Sequence, residues 1–273
     1  MKRSERLVVM THYVLDRPRE LVSLPFLAEK YDAAKSSISE DLAIMNKMFR
    51  KEGIGHLETV SGAAGGVKYI PAYSKDYSHQ FVHELCERLE DPARLLPGGY
   101  LFMSDILGEP DTVRAIGRLF ASAFADKEID AVMTVATKGI PLAYAVAAYL
   151  NVPVVIVRRD PKVTEGSTVS INYVSGSTRK IQTMVLTKRS LAEGSKVCII
   201  DDFMKAGGTI NGMRNLLTEF NAEVAGIGVL AEAEDEEEDR VVDEYISLVQ
   251  IMNVDDREAK IEVHAGNLLN RIE

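Results

Sequence analysis

The stretch "VCIIDDFMKAGGT", residues 197–209, decides how the rest of the chain is read. Its apolar run from Val197 to Ile200 reads as a buried strand that ends in two acids, Asp201 and Asp202. A small-residue turn from Lys205 through Ala206, Gly207 and Gly208 to Thr209 follows, and "INGMRNLLTEF" (210–220) continues as a helix. Backbone N–H groups in such a turn, backed by a helix N-terminus, hold a phosphate, and the glycines permit close approach. The Thr209 hydroxyl adds a donor. Asp201 and Asp202 then stand one ribose away from that phosphate. Two acceptor-only groups there suit sugar hydroxyls or a bound Mg²⁺ better than acid-base chemistry, and nothing in the pattern calls for a shifted pKa.

Working outward, "IDAVMTVA" (129–136), "VPVVIVRR" (152–159) and "EVAGIGVLAEA" (223–233) are further strand-like runs, with the Ala-rich helix "IPLAYAVAAYL" (140–150) between the first two. Near-continuous apolar strands separated by helices predict an α/β domain with a parallel sheet covered on both faces. Ligands of such sheets bind beyond the carboxyl ends of the strands. At the end of the first strand "ATKGIP" (136–141) supplies a second small turn, with Lys138 a candidate for a pyrophosphate. Arg158 and Arg159 follow the second strand and add positive charge. Phe203 is a candidate to stack on a purine and Tyr100 a second face for it, against the plainer alternative that both belong to the core.

The formal net charge of −9 conceals a division: residues 1–75 hold 12 Lys/Arg against 9 Asp/Glu, while the remainder holds 20 against 32. Any polyanion is therefore expected at the N-terminal part. That part reads as helix, helix, helix and hairpin. In the third helix Ile38, Leu42, Met45 and Phe49 form an inward stripe, and the opposite face is small and polar. Lys35, Ser36, Ser37, Ser39, Lys47 and Arg50 are the candidate DNA contacts on this recognition-like helix, with Lys68 on the hairpin. Glu40 and Asp41 are expected to cap the helix or to repel misplaced phosphates. "GHLETV" and "VKYIP" flank the Gly-rich tip 61–66 of the hairpin. A boundary is expected at 74/75, giving a DNA-binding domain over 1–74 and a ligand-binding domain over 75–273. His79 and His83, four apart on the next helix, read as surface or packing residues, and no metal site or catalytic residue is expected. Two cysteines are too few for a disulfide framework or a thiolate zinc cage. No window approaches the ~18 apolar residues of a membrane span, so a cytoplasmic protein with no membrane partner is expected.

"VCIIDDFMKAGGT" resembles the phosphoribosyl pyrophosphate (PRPP) motif of type I phosphoribosyltransferases, and "GEPDTVRAIGRLFASAF" with "ATKGIP" is similar to the corresponding stretches of xanthine phosphoribosyltransferases. The sequence departs from the motif where Ala206 replaces a hydroxyl residue and Lys205 precedes it: one phosphate hydrogen bond is lost and a cation gained. By the same likeness residues 162–180 correspond to the flexible loop over the site, and the acidic run 234–239 lies near the hood. The order of elements in the first segment resembles the winged-helix DNA-binding domains. A winged helix ahead of a phosphoribosyltransferase-like domain resembles the purine operon repressors of Gram-positive bacteria over essentially the whole chain.

That resemblance implies a dimeric regulator of purine genes on operator DNA, with PRPP as the effector that lowers DNA affinity, Mg²⁺ as its companion, no required cofactor and no transferase turnover. It assigns Asp201 and Asp202 to ribose hydroxyls, Lys205 through Thr209 to the 5′-phosphate and Thr137 to Gly139 to the pyrophosphate. Other phosphorylated nucleotides with two phosphate clusters are candidate occupants of the same two turns. The alternatives are an active purine phosphoribosyltransferase with an accessory N-terminal domain and a PRPP-responsive RNA binder.

Overall fold

The computed structural model describes residues 1–62, 65–96, 100–160, 166–174, 181–233, 240–255 and 260–272. The N-terminal elements are α1 (Arg3–Leu15), β1 (Val22–Ser23), α2 (Leu24–Lys30), α3 (Lys35–Lys51), β2 (Gly55–Val60) and β3 (Gly66–Pro71). Ser23 starts α2 by accepting the Phe26 N–H at 3.3 Å. The apolar stripe of α3 behaves as its spacing requires: Ile38, Leu42, Met45 and Phe49 are buried with Met10 and Val14 of α1, Leu27 of α2, and Leu57 and Tyr69 of the hairpin. β2 and β3 pair antiparallel from Gly55↔Pro71 to Val60↔Gly66, and residues 63–64 of the tip lie outside the described residues. β1 pairs with β3 through Val22↔Val67, making a sheet of order β1-β3-β2. Two residues are too few to show a period, which is why the sequence pattern omits this strand.

Asp41 neither caps α3 nor faces a ligand. It is fully buried and accepts from Arg3 Nε at 2.8 Å and Arg6 Nε at 2.7 Å, while Glu40 pairs with Arg3 at 3.2 Å. Burial without partners would cost a carboxylate several kcal/mol by a rough estimate, so both acids serve to fasten α1 to α3.

The second part runs α4 (Lys75–Leu89), β4 (Leu95–Leu96), β5 (Tyr100–Leu101), α5 (Ser104–Gly108), α6 (Pro110–Ala123), β6 (Ala131–Val135), α7 (Gly139–Leu150), β7 (Val154–Val157), β8 (Thr168–Val174), β9 (Ile181–Thr187), β10 (Lys196–Met204), α8 (Gly208–Thr218), β11 (Glu223–Ala233), β12 (Ile246–Asp255) and β13 (Lys260–Ala265). Its six-stranded sheet has the order β13-β12-β11-β10-β6-β7. All neighbours are parallel except β13, an antiparallel edge. Alternation along β10 sends Cys198 and Ile200 into one core with α4 to α7, and Val197 and Ile199 into the other with α8 and the β8–β9 hairpin. That hairpin revises the loop expected over 162–180: residues 168–174 are a strand in register with 181–187, while 161–165 and 175–180 lie outside the described residues, as does the acidic run 234–239. Among the described residues, no helix is long and apolar enough to cross a membrane.

Two arginines cross between the parts. Arg118 of α6 sets Nη2 within reach of the carbonyl oxygens of Gly53 (3.0 Å), Ala72 (2.6 Å) and Ile54, with its guanidinium 4.1 Å from the Tyr73 ring centre. In the other direction Arg19, in the turn after α1, donates to Phe124 O at 3.4 Å and to Ala125 O and Lys127 O at 3.0 Å, at the C-terminal end of α6.

Candidate functional site

The parallel strands place their C-terminal ends side by side, and a cavity of about 540 Å³ opens there. Its floor is Asp201 and Asp202 at the end of β10. The turn 205–209 leads into α8 on one side, and Ala136, Thr137 and Lys138 lead into α7 on the other. Arg159 contributes a cation, and Leu96, Leu101, Met103 and Phe203 form an apolar wall. Gly207 caps α8 with φ 81°, the left-handed region that glycine enters without cost. Its Cα face is closed by Val242, whose Cγ2 would stand 2.9 Å from any added Cβ, and Val241 N–H donates to Ala206 O at 3.1 Å. Chain beyond β11 thus braces the turn from outside. On the other side, a Cβ on Gly139 would collide with Thr134 Oγ1 and come within 3.4 Å of Asp201 Oδ1. The 137–139 turn therefore packs against Asp201 with no space for a side chain at Gly139.

Asp201 is buried, Asp202 half-buried, and Asp201 Oδ1 accepts the Asp202 N–H at 3.0 Å. Contrary to the sequence expectation, both carboxyls titrate above their ordinary range. Burial is the main cause for each, and the neighbouring carboxylate Asp202 adds to it at Asp201. Arg159 works against the shift at Asp201, and Lys138 does so at Asp202. The pair is an acceptor surface short of positive charge.

Most sequence-predicted residues meet in this cavity: Thr137, Lys138, Arg159, Asp201, Asp202, Phe203, Lys205, Ala206, Gly207, Gly208 and Thr209 all line it, with Gly139 packed immediately behind. Arg158 does not. The Arg158 backbone pairs with Val185 of β9 through bonds of 3.0 and 2.7 Å, and Arg159 follows it in a bend. Phe203 lines the cavity and also packs on the core, so the two readings of it coincide. Tyr100 pairs with Leu96 across β4 and β5, while its side chain falls outside the described residues. Leu96, Leu101 and Met103 were not expected at the site. They come from a short ribbon and loop with no motif of their own.

On the N-terminal domain, Lys35, Ser36, Ser39, Lys47 and Arg50 are exposed along α3 and Ser37 is half-buried. Lys68 is half-buried on β3, in register with Glu58 of β2. The outer face of α3 is less polar than the sequence pattern suggests: Ile44 and Met48, one turn apart, are 41% and 42% exposed. Such side chains suit thymine methyl groups in a major groove. His79 and His83 are exposed on α4, with His83 3.6 Å from Glu87. No group of three or more metal-ligating side chains gathers among the described residues.

The family described as "Bacterial purine repressor, N-terminal" matches residues 2–71, and "Phosphoribosyl transferase domain" matches 103–263. The chain is 62% identical to the purine biosynthesis transcriptional repressor PurR of Bacillus subtilis, over 98% of this chain and 94% of that one. It belongs to this family of purine regulators. Another member, the purine biosynthesis transcriptional activator PurR of Lactococcus lactis, is 46% identical over 99% of both chains. An adenine phosphoribosyltransferase from Thermoanaerobacter pseudethanolicus shares the fold of the second part, with a TM-score of 0.53 and 23% identity over 61% of this chain and 98% of that one. The purine regulator family thus joins an N-terminal DNA-binding domain to a phosphoribosyltransferase-like domain, the two bodies seen here.

Proposed function

We propose that this protein represses purine biosynthesis genes by holding operator DNA through α3 and the β2–β3 wing, and releases it when PRPP enters the cavity. The observation that carries this reading is one cavity presenting an acid pair between two phosphate-sized turns, in a chain that also exposes a cationic helix face. The 205–209 turn takes the 5′-phosphate on backbone N–H groups and on Thr209. Asp201 and Asp202 take the ribose hydroxyls, and Thr137 to Gly139 with Lys138 take the pyrophosphate. Mg²⁺ fits the acceptor chemistry of the pair. With no complete ligand set among the described residues, it would be held jointly by one or two carboxylates and ligand oxygens, the usual arrangement for this ion. Nucleotides carrying two phosphate clusters would compete for the same turns.

PRPP weakens DNA binding only by binding the DNA-free form better, and the effect is reciprocal. A homodimer is the natural reader of paired operator elements. Phe203 on the cavity wall favours one second reading, a transferase that stacks a purine base there. One experiment separates the two: operator binding measured with and without PRPP·Mg²⁺, beside an assay for nucleotide formation from PRPP and each purine base. Loss of operator affinity with no nucleotide formed supports the regulator. Nucleotide formation with unchanged operator affinity replaces it with the enzyme.

A further inference from the structure

Helix α6 touches both halves of the molecule, and its contacts are of unusual kinds at each end. Toward the cavity it meets α7 closely at Gly117, where only the Ala145 methyl intervenes: a Cβ on Gly117 would lie 2.5 Å from Ala145 Cβ and 2.6 Å from the Ala145 carbonyl carbon. α7 begins at Gly139, in the turn that closes the cavity on its Lys138 side. Toward the DNA-binding domain, the next residue, Arg118, grips Gly53 O, Ile54 O and Ala72 O. Gly53 and Ile54 finish α3, their N–H groups donating to Arg50 O at 3.4 Å and Phe49 O at 2.8 Å. Ala72 leaves β3. One guanidinium therefore holds the C-terminal end of the recognition helix and the exit of the wing together. Arg19 completes the tie from the other side. Its own N–H donates to Tyr69 O of β3 at 2.8 Å, and its guanidinium takes three carbonyls at the end of α6.

Packed interiors shift as whole elements rather than deforming smoothly. A displacement of the 137–139 turn is thus delivered through α7 to α6, whose backbone has no gap in which to absorb it, and from α6 through two arginine clamps to the root of the wing. We propose that α6, with Arg118 and Arg19, is the coupling element by which ligand in the cavity changes the pose of α3 and the wing. The proposal rests on the PRPP-released regulator described above. Arg118 and Arg19 touch neither the cavity lining nor the outer face of α3, so they are positioning residues, and their signature is a change in coupling rather than in either binding step alone.

The test uses the full-length protein with operator duplex and PRPP·Mg²⁺. Calorimetry gives PRPP affinity of the free protein, and anisotropy gives operator affinity at zero and saturating PRPP. The quantity read is the ratio of the two operator constants. Arg118→Ala, Arg118→Lys and Arg19→Ala are compared with Arg114→Ala, an exposed residue one turn earlier on the same helix. The expected result is a ratio reduced at least about fivefold in the clamp variants, with PRPP affinity within about twofold of wild type and Arg114→Ala unchanged. Arg118→Lys keeps the charge but not the planar fork, so it and Arg19→Ala carry the test if Arg118→Ala does not fold. A full response in the clamp variants overturns the proposal while leaving the regulator reading intact. Loss of PRPP affinity in step with the ratio also overturns it, because the arginines would then support the pocket. No response in wild type itself sinks the regulator reading and this proposal together.

Discussion

On the proposed reading, the groups of the 205–209 turn that would meet a phosphate are main-chain N–H donors, set by the left-handed φ of Gly207 and braced by Val242. Along α3 they would be the exposed ends of Lys35, Lys47 and Arg50, attached to a helix whose opposite face is locked into a core. The first arrangement is fixed before any ligand arrives and is sensitive to a single methyl group. The second adapts, since long cationic side chains bring charge without rigid geometry, and loses little when one of them is removed. Charge follows the same division: the cavity floor holds a buried and a half-buried acid, Asp201 and Asp202, with raised proton affinity, whereas α3 keeps its acids Glu40 and Asp41 tied to arginines.

This contrast predicts unequal responses to mutation. The largest is at the cavity floor: Asp202→Ala should abolish release by PRPP while operator affinity stays near wild type, and normal release in a PRPP titration would refute the site. Next comes Asp41→Ala, which strands Arg6 at the α1–α3 junction. A loss of about 3 kcal/mol of N-terminal domain stability is expected, seen as a lowered unfolding midpoint and weaker operator binding with PRPP affinity retained. Equal loss of both ligands would mean that the two domains unfold as one.

Smaller effects are expected on the adaptable side. Lys35→Ala or Lys47→Ala should weaken operator binding several-fold and reduce the slope of log affinity against log salt by about one. An unchanged slope in both variants would move the DNA contact away from α3. Smallest is the effect of pH. The folded, ligand-free protein keeps protons on Asp201 and Asp202 above the ordinary carboxylate range, so its stability declines as pH rises from that range through the raised values. On the proposed reading PRPP·Mg²⁺ binds the ionised pair. Its affinity should therefore fall as pH is lowered through the raised carboxyl range, with protons released on binding. Calorimetry in two buffers of different ionisation enthalpy counts them, and no release would argue that the pair is already ionised when empty.

What was legible in the sequence shares a physical cause. The strand, acid pair, turn and helix over 196–220 are consecutive, so their geometry is written locally, and the α3 stripe shows its period within one element. The parts that escaped depend on distant partners. β1 has only two residues and no meaning apart from Val67. Asp41 reads as a helix cap until Arg3 and Arg6 are brought beside it by folding. Arg118 and Arg19 are ordinary surface residues in sequence and become clamps only when two domains meet. Arg158 and Arg159 look equivalent in a string, yet Arg159 lines the cavity while the Arg158 backbone is tied to Val185 of β9.

The bracing of the turn reaches beyond the ligand's own contacts. Val242 is fully buried on Gly207, and its neighbour Val241 is tied to Ala206, so a valine outside the cavity lining helps to define the shape of the turn that lines it. In a saturation mutational scan scored by metabolite response, position 242 should rank beside the glycines of the turn. A bulkier residue there would reshape the sugar-phosphate seat from behind.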